Sequence, residues 1–268
     1  MQLIHGECVE EMQKLSENSI NLTVTSPPYD DLRKYNGYSW DFEGTAKELY
    51  RITKNGGVVV WVVADKTYNG SESGTSFKQA LFFKEVGFNL HDTMIFLKEN
   101  PVPLTYNRYE QQFEYMFVFS KGKPKTFNPL MQQCKTAGKV YNMKRDRAYD
   151  GNAQRHYRNE TVTTAQEKYR YNVWNYAIGI DKNKSNKHPA VFPEKLAQDH
   201  ILSWSNPNDV VFDPMMGSGT TGKMAILENR DFIGIEIDAE YFALSTQRIK
   251  EVEQKRNGVG YLVVGALM

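Results

Sequence analysis

The chain predicts an α/β fold, a doubly wound and mostly parallel sheet, and three observations carry that expectation. Short apolar runs alternate with stretches of helical spacing over the first 120 residues and again after His188, the pattern of strands joined by crossover helices. The run 210–212 leads through Asp213 into a glycine turn, 215–221, and then a helix. The run 20–24 leads into Thr25-Ser26-Pro27-Pro28-Tyr29, where the prolines stop the strand because they cannot donate to a ladder. Open α/β sheets hold ligands at the carboxyl ends of strands, so these two loops form the candidate site.

Taken in order, residues 2–4 predict a short strand, followed by Gly6-Glu7. Residues 8–15 predict a helix with Cys8, Val9, Met12 and Leu15 apolar. A polar turn, 16–19, enters the strand 20–24, and the Tyr-, Gly- and Asp-rich stretch 30–44 predicts a surface loop. Residues 45–53 predict a helix that Asn55-Gly56-Gly57 stops, and 58–63 predict a strand buried on both faces. Then come a polar loop at 65–75, a helix at 77–86 capped by Gly87, and strands at 89–97 and 112–120. After the gap, Pro193 opens a helix that runs to Trp204. A strand at 209–212, a helix at 221–228, a strand at 232–237 and a helix at 239–254 complete the alternation. The apolar tail 260–268 is expected as an added strand.

A chain of 268 residues accommodates one large domain with an insertion. With 40% hydrophobic residues and a net charge of +1, a disordered chain is excluded. No apolar run reaches the roughly 18 residues of a membrane span, and the N-terminus lacks the basic and apolar regions of a signal peptide. No membrane association is expected. Cys8 and Cys134 supply neither a disulfide framework nor a metal cluster, so no metal is expected and a reducing cytosol is the expected home.

The near-zero charge conceals an asymmetry. Residues 121–187 hold 15 Lys and Arg against 5 Asp and Glu, a net of +10, and the rest holds 18 against 27, a net of −9. Alternation is lost there, and Phe127, Tyr141, Tyr149, Tyr157, Tyr169, Tyr171, Trp174 and Tyr176 are interleaved with the positive charges. Such a segment suits a solvated loop. It better suits a nucleic-acid backbone, with cations on phosphates and aromatics against bases.

Ser26, the Pro27 carbonyl and Tyr29 together suit a planar base bearing an exocyclic amine, two groups to hold the amine and a ring to stack on the base. The same five residues also suit a proline turn with a core tyrosine. In the second loop Asp213 can hold an ammonium, the glycines allow close approach, and Glu236, about 20 residues on, can grip ribose hydroxyls. Gly217 to Lys223 also spells a phosphate-binding Gly-x-x-x-x-Gly-Lys. Met224 stands where that motif needs Ser or Thr, and Asp213 would face the phosphates. A purely structural glycine turn is the third reading, against which Asp213 and Glu236 together argue.

On these motifs and their order the chain resembles the amino-directed DNA methyltransferases of the β arrangement, in which the catalytic motif precedes the cofactor motif. Ser26-Pro27-Pro28-Tyr29 matches the family's Asp/Ser/Asn-Pro-Pro-Tyr/Phe. Asp213 to Thr221 matches Asp-Pro-Phe-x-Gly-Ser-Gly-Thr-Thr, with Met215 for Phe. His188 to Leu196 is similar to His-Pro-x-x-Lys-Pro-x-x-Leu, with Phe192 for Lys, and Gly6-Glu7 to Gly-Asp.

The resemblance implies a circularly permuted S-adenosylmethionine-dependent methyltransferase fold with an inserted DNA-recognition region. Residues 1–120 would be the catalytic half, 121–187 the insertion and 188–268 the cofactor half. The implied cofactor is S-adenosylmethionine. Ser26, Pro27, Pro28 and Tyr29 would be catalytic. Glu7, Cys8, Phe192, Asp213, Met215, Gly217, Ser218, Gly219, Thr220, Glu236 and Asp238 would bind the cofactor. Lys144, Arg145, Arg147, Arg155, Arg158, Lys168 and Arg170 would contact DNA. The implied partner is double-stranded DNA in a bacterial or phage setting, in the cytoplasm at the nucleoid, and both a homodimer and a companion restriction endonuclease fit the family. Ser26 rather than Asp leans toward N4 of cytosine, with N6 of adenine as the alternative. A non-catalytic DNA-binding protein on the same scaffold is the reading from another class.

Overall fold

A computed structural model describes residues 1–28, 40–101, 107–146, 157–178 and 193–265; for 144–146, 157–159 and 257–265 it describes the backbone alone. The chain forms two compact units, Met1–Asn128 with Asn172–Met268, and Pro129–Tyr171.

In the first unit, β1 (Gln2–His5), α1 (Cys8–Gln13), β2 (Ile20–Thr25), α2 (Phe42–Ile52) and β3 (Thr53–Val63) follow one another. Glu7 and Asp41 N-cap α1 and α2, their carboxylates accepting from Glu10 N and Gly44 N, each at 2.9 Å. The stretch expected as a loop at 65–75 carries a small hairpin, β4 (Thr67–Tyr68) with β5 (Ser71–Glu72). Then come α3 (Thr75–Val86), β6 (Asn89–Lys98) and β7 (Phe113–Ser120).

The second unit is a two-stranded antiparallel ribbon. β8 (Met131–Gln133) pairs with β11 (Glu167–Tyr169), and β9 (Val140–Asp146) with β10 (Tyr157–Thr163). Hydrogen bonds from Cys134 N to Gln166 O and from Gly138 N to Thr164 O, at 2.9 and 3.0 Å, carry the pairing across the interval.

The chain re-enters the first unit at β12 (Val173–Tyr176) and continues through α4 (Glu194–Trp204), β13 (Val210–Asp213), α5 (Thr220–Leu227), β14 (Asp231–Glu236) and α6 (Ala239–Gly265). Eight strands form one sheet in the order β1-β14-β13-β2-β3-β7-β6-β12. Neighbours are parallel except where β7 lies antiparallel between β3 and β6. β1 lies parallel to β14, where a strand following α6 would lie in an unpermuted chain. Val58 to Val63 are all buried because both faces of the central strand are covered. Phe83 of α3 stacks on Phe119 of β7 at 4.4 Å, and Trp61 donates to Gln79 Oε1 at 2.9 Å.

Two expectations are corrected. Residues 173–176, assigned to the basic insertion, are the outermost strand of the sheet. Their alternation of exposed Val173 and Asn175 with buried Trp174 and Tyr176 is a strand period hidden among polar neighbours. Trp174 packs on His200 at 4.7 Å, and Tyr176 donates its hydroxyl to buried Asp199 at 2.7 Å. These two aromatics therefore serve the core. The tail expected as an added strand continues α6 to Gly265, since extending an existing helix orders one residue per hydrogen bond gained.

The direction of winding reverses between β13 and β2. α5 carries the chain from β13 to β14 on one side, and α2 carries it from β2 to β3 on the other. The carboxyl ends of β13 and β2 flank this switch point, where such sheets open a crevice.

Candidate active site

β2 and β13 are parallel neighbours, with Leu22 opposite Val211 and Thr23 opposite Phe212. Their carboxyl ends therefore deliver Thr25-Ser26-Pro27 and Asp213-Pro214 side by side. Thr25 and Asp213 are both buried, and the Thr25 hydroxyl donates to Asp213 Oδ1 at 2.8 Å. Met215 N donates to the same oxygen at 3.2 Å. The Thr221 hydroxyl donates to the Val24 carbonyl at 3.1 Å and lies against the Asp213 carboxylate. Burial dominates and lifts the Asp213 carboxyl to about 7, against the lowering effect of Thr25, Met215 and Thr221. Neither threonine was singled out from the sequence. The available signal was their place, one residue before the Pro-Pro motif and at the end of the glycine motif.

The glycine loop follows directly. Gly217 and Gly219 take φ of 50° and 78°, a region costly for other residues. Gly217 N donates to Glu236 Oε2 at 2.8 Å, and Asp238 N to Glu236 Oε1 at 2.9 Å. Glu236 is buried at the end of β14, and burial pushes its carboxyl upward. Met216 lies over Gly234, where a Cβ would come within 2.6 Å of its sulfur. Met215 packs against the main core.

The same sheet edge carries Glu7 and Cys8. His5 pairs with Glu236, and Gly6 N donates to the Glu236 carbonyl at 3.0 Å. The Cys8 thiol donates to Glu7 Oε1 at 3.1 Å, and burial pushes it up to about 12. Asp238 caps α6, its Oδ1 accepting from Glu240 N and Tyr241 N at 2.9 and 3.0 Å.

Carboxyl ends of β1, β14, β13 and β2 thus bring together Glu7, Cys8, Glu236, Asp238, Asp213, Met215, Gly217, Ser218, Gly219, Thr220, Ser26, Pro27 and Pro28. Tyr29, Phe192, Arg147 and Arg155 lie outside the described residues. Lys144, Arg145 and Arg158 stand on the paired strands β9 and β10, Arg145 opposite Arg158. Lys168 stands over the Tyr171 ring at 4.1 Å, and Arg170 N donates to the Leu130 carbonyl at 2.8 Å.

The phosphate-loop reading fails on geometry. Lys223 Nζ is bound to Glu194 Oε1 at 2.5 Å, and the loop's own Met215 N donates to the Asp213 carboxylate at 3.2 Å rather than being left for a phosphate. Among the described residues no cluster of His, Cys, Asp and Glu could hold a metal ion, and no helix is long and apolar enough to cross a membrane.

Residues 20–247 match the sequence model of a family described as DNA methylase. The orphan methyltransferase M.BamHII of Bacillus amyloliquefaciens is 54% identical over 93% of this chain and 97% of its own. The DNA adenine methyltransferase YhdJ of Escherichia coli strain K12 is 26% identical over 92% and 82%. Among solved structures, the cytosine-N4-specific PvuII DNA methyltransferase superposes with a TM-score of 0.68 at 20% identity, covering 94% of this chain and 91% of that one. The M1.HpyAVI–SAM complex superposes at 0.61 with 24% identity, covering 92% and 98%.

Proposed function

The chain belongs to the DNA methylase family of amino-directed, N4/N6 methyltransferases, and from that premise we propose that it methylates N4 of cytosine in double-stranded DNA. The observation that carries the reading is the juxtaposition of Ser26-Pro27 with Asp213 at neighbouring strand ends, joined through Thr25. One loop is built to hold an amine and the other a cation.

The residues present fit S-adenosylmethionine. A buried carboxyl lifted to about 7 gains its charge when an ammonium comes beside it, and the glycine turn lets the backbone close on a ligand. Asp213 would hold the ammonium, and Glu236 the ribose hydroxyls. Glu7 and the backbone at Cys8 would border the adenine, with Phe192 on the carboxylate side. Met215, Gly217, Ser218, Gly219, Thr220 and Asp238 would frame the cofactor. When bound, S-adenosylmethionine supplies a methyl group on a sulfonium that leaves as a neutral thioether.

The chain's own task is the amine. Its lone pair is delocalised into the base. Ser26 and the Pro27 carbonyl accept its N–H bonds and favour a pyramidal nitrogen as positive charge develops. Pro28 stiffens that loop, and Tyr29 stacks on a base drawn out of the duplex. Carbon-5 methylation would need a thiolate, whereas Cys8 is buried with its thiol pushed up to about 12.

The ribbon supplies the DNA contact. A two-stranded ribbon fits the width of a major groove. Residues 129–171 carry nine Lys and Arg against four Asp and Glu, and Lys144, Arg145, Arg147, Arg155, Arg158, Lys168 and Arg170 are the proposed phosphate and base contacts. The likeness to an orphan methyltransferase favours action in a bacterial cytoplasm without a companion restriction endonuclease.

Both bases offer an amine beside a ring nitrogen, so the choice of cytosine rests on the family resemblance, in which serine at the head of the catalytic motif leans toward cytosine and aspartate toward adenine. Digestion of methylated DNA to nucleosides, read by mass spectrometry, tests this. N4-methylcytosine is expected. N6-methyladenine alone would move the target to adenine and leave the rest of the reading in place.

A further inference from the structure

Three elements distant in sequence meet behind the glycine loop. Arg248 of α6 donates through Nη1 to the Ser218 carbonyl at 2.7 Å and through Nη2 to Glu194 Oε1 at 3.0 Å. Glu194 opens α4, and its same oxygen receives Lys223 of α5. The Arg248 side chain is 14% exposed and that of Glu194 35%, so the guanidinium is largely covered while the carboxylate still meets solvent.

Ser218 stands between two glycines at positive φ, the part of the loop whose backbone has the most freedom to lose. The peptide that joins Ser218 to Gly219 is planar and trans, so its carbonyl and N–H point opposite ways. Arg248 holds the carbonyl, and Gly219 N donates to the Met216 carbonyl at 2.7 Å. The peptide is gripped at both ends. The same face of α6 closes over the turn. A Cβ on Gly219 would come within 2.9 Å of Ser245 Cβ, and one on Gly222 within 2.5 Å of Ile249 Cδ1. A planar guanidinium can serve a carbonyl and a carboxylate together, which an ammonium does less well.

We infer that Arg248, braced by Glu194, is a positioning residue that holds the glycine loop in the shape that receives the cofactor. The inference rests on the functional reading above. It is tested on the full chain by calorimetric titration with S-adenosylmethionine and by initial rates on DNA. Arg248→Met should raise Kd and KM for the cofactor about tenfold, the worth of a hydrogen bond to a charged group. Its kcat at saturating cofactor should stay within about threefold of wild type, its DNA affinity should be unchanged, and Arg248→Lys should restore part of the loss. A folded Arg248→Met protein with wild-type cofactor affinity would overturn the inference. So would a variant that loses kcat and DNA affinity in the same proportion, because that marks general damage. If Arg248→Met does not fold, Glu194→Gln decides. It keeps the shape and removes the charge, so weaker cofactor binding is expected and unchanged binding overturns the role. Wild-type protein without affinity for S-adenosylmethionine would sink the functional reading itself, and this role with it.

Discussion

The eight-stranded unit and the ribbon solve opposite problems with the same chain. In the first, Val58 to Val63, Phe83, Phe119 and Phe212 are buried, and even the acids at the strand ends, Asp213 and Glu236, are buried and hydrogen-bonded by backbone or hydroxyl groups. Among the described side chains of the ribbon none is buried, and Met131, Val140, Tyr141, Met143, Tyr169 and Tyr171 are exposed. An isolated two-stranded ladder is marginal in water. The contrast teaches where rigidity is needed. Methyl transfer needs groups held in place before the reactants arrive, whereas a ribbon with the proposed role of touching DNA keeps its side chains exposed for that contact.

The sharpest break between the two is Asp213→Ala. It should weaken S-adenosylmethionine binding by about 3–5 kcal/mol, because a buried ammonium loses its counter-charge, and leave DNA affinity intact. Equilibrium binding of both ligands checks this, and unchanged cofactor affinity would remove Asp213 from its role. The converse exchange replaces residues 129–171 by a short neutral linker. Cofactor binding and the thermal midpoint should persist while DNA affinity falls. With six phosphate contacts in the intact protein, log K should change with log salt at a slope of about −5. Retention of both affinity and slope in the shortened protein would show that the ribbon is not the DNA contact.

Ser26→Ala sharpens the comparison within the sheet unit. Loss of one hydrogen bond to a developing charge, roughly 1.5–3 kcal/mol, should slow transfer about 10- to 200-fold, with a smaller change in DNA affinity. Single-turnover rates beside binding curves separate the two effects.

Titration offers a gentler probe. A carboxyl lifted from about 4 in the unfolded chain to about 7 when folded binds more protons folded than unfolded between those values. The cofactor-free protein therefore loses this contribution to stability as pH rises through that window. Cofactor affinity runs the other way. It should climb by up to tenfold per pH unit toward 7, because the ammonium needs the ionised carboxyl, and fall again above about 8 as the cofactor's α-amino group loses its proton. A flat profile in calorimetry would contradict that dependence. The smallest effect is expected of Thr25→Val, about fivefold at pH 7 for one hydrogen bond of roughly 1 kcal/mol, with the midpoint of the pH profile moved upward.

Local pattern and chemistry determined a large share of this protein. The buried run at 58–63, the strand–turn–helix at Asp213 and the proline stop after Thr25 are all written in neighbouring residues, because strand periodicity, glycine freedom and proline geometry act over a few bonds. The sheet-end placement of the candidate residues followed from those elements alone. Tertiary structure decided what depends on partners far away in sequence. Tyr176 is a core residue because Asp199 receives its hydroxyl, and Lys223 is no phosphate ligand because Glu194 takes it. Thr25 matters because a strand 188 positions later lies beside it. None of these pairs leaves a local signature, since burial and hydrogen bonding are properties of an assembled neighbourhood. The chemistry of each side chain is set by its type, but its availability to a ligand is set by what the fold has already bound to it.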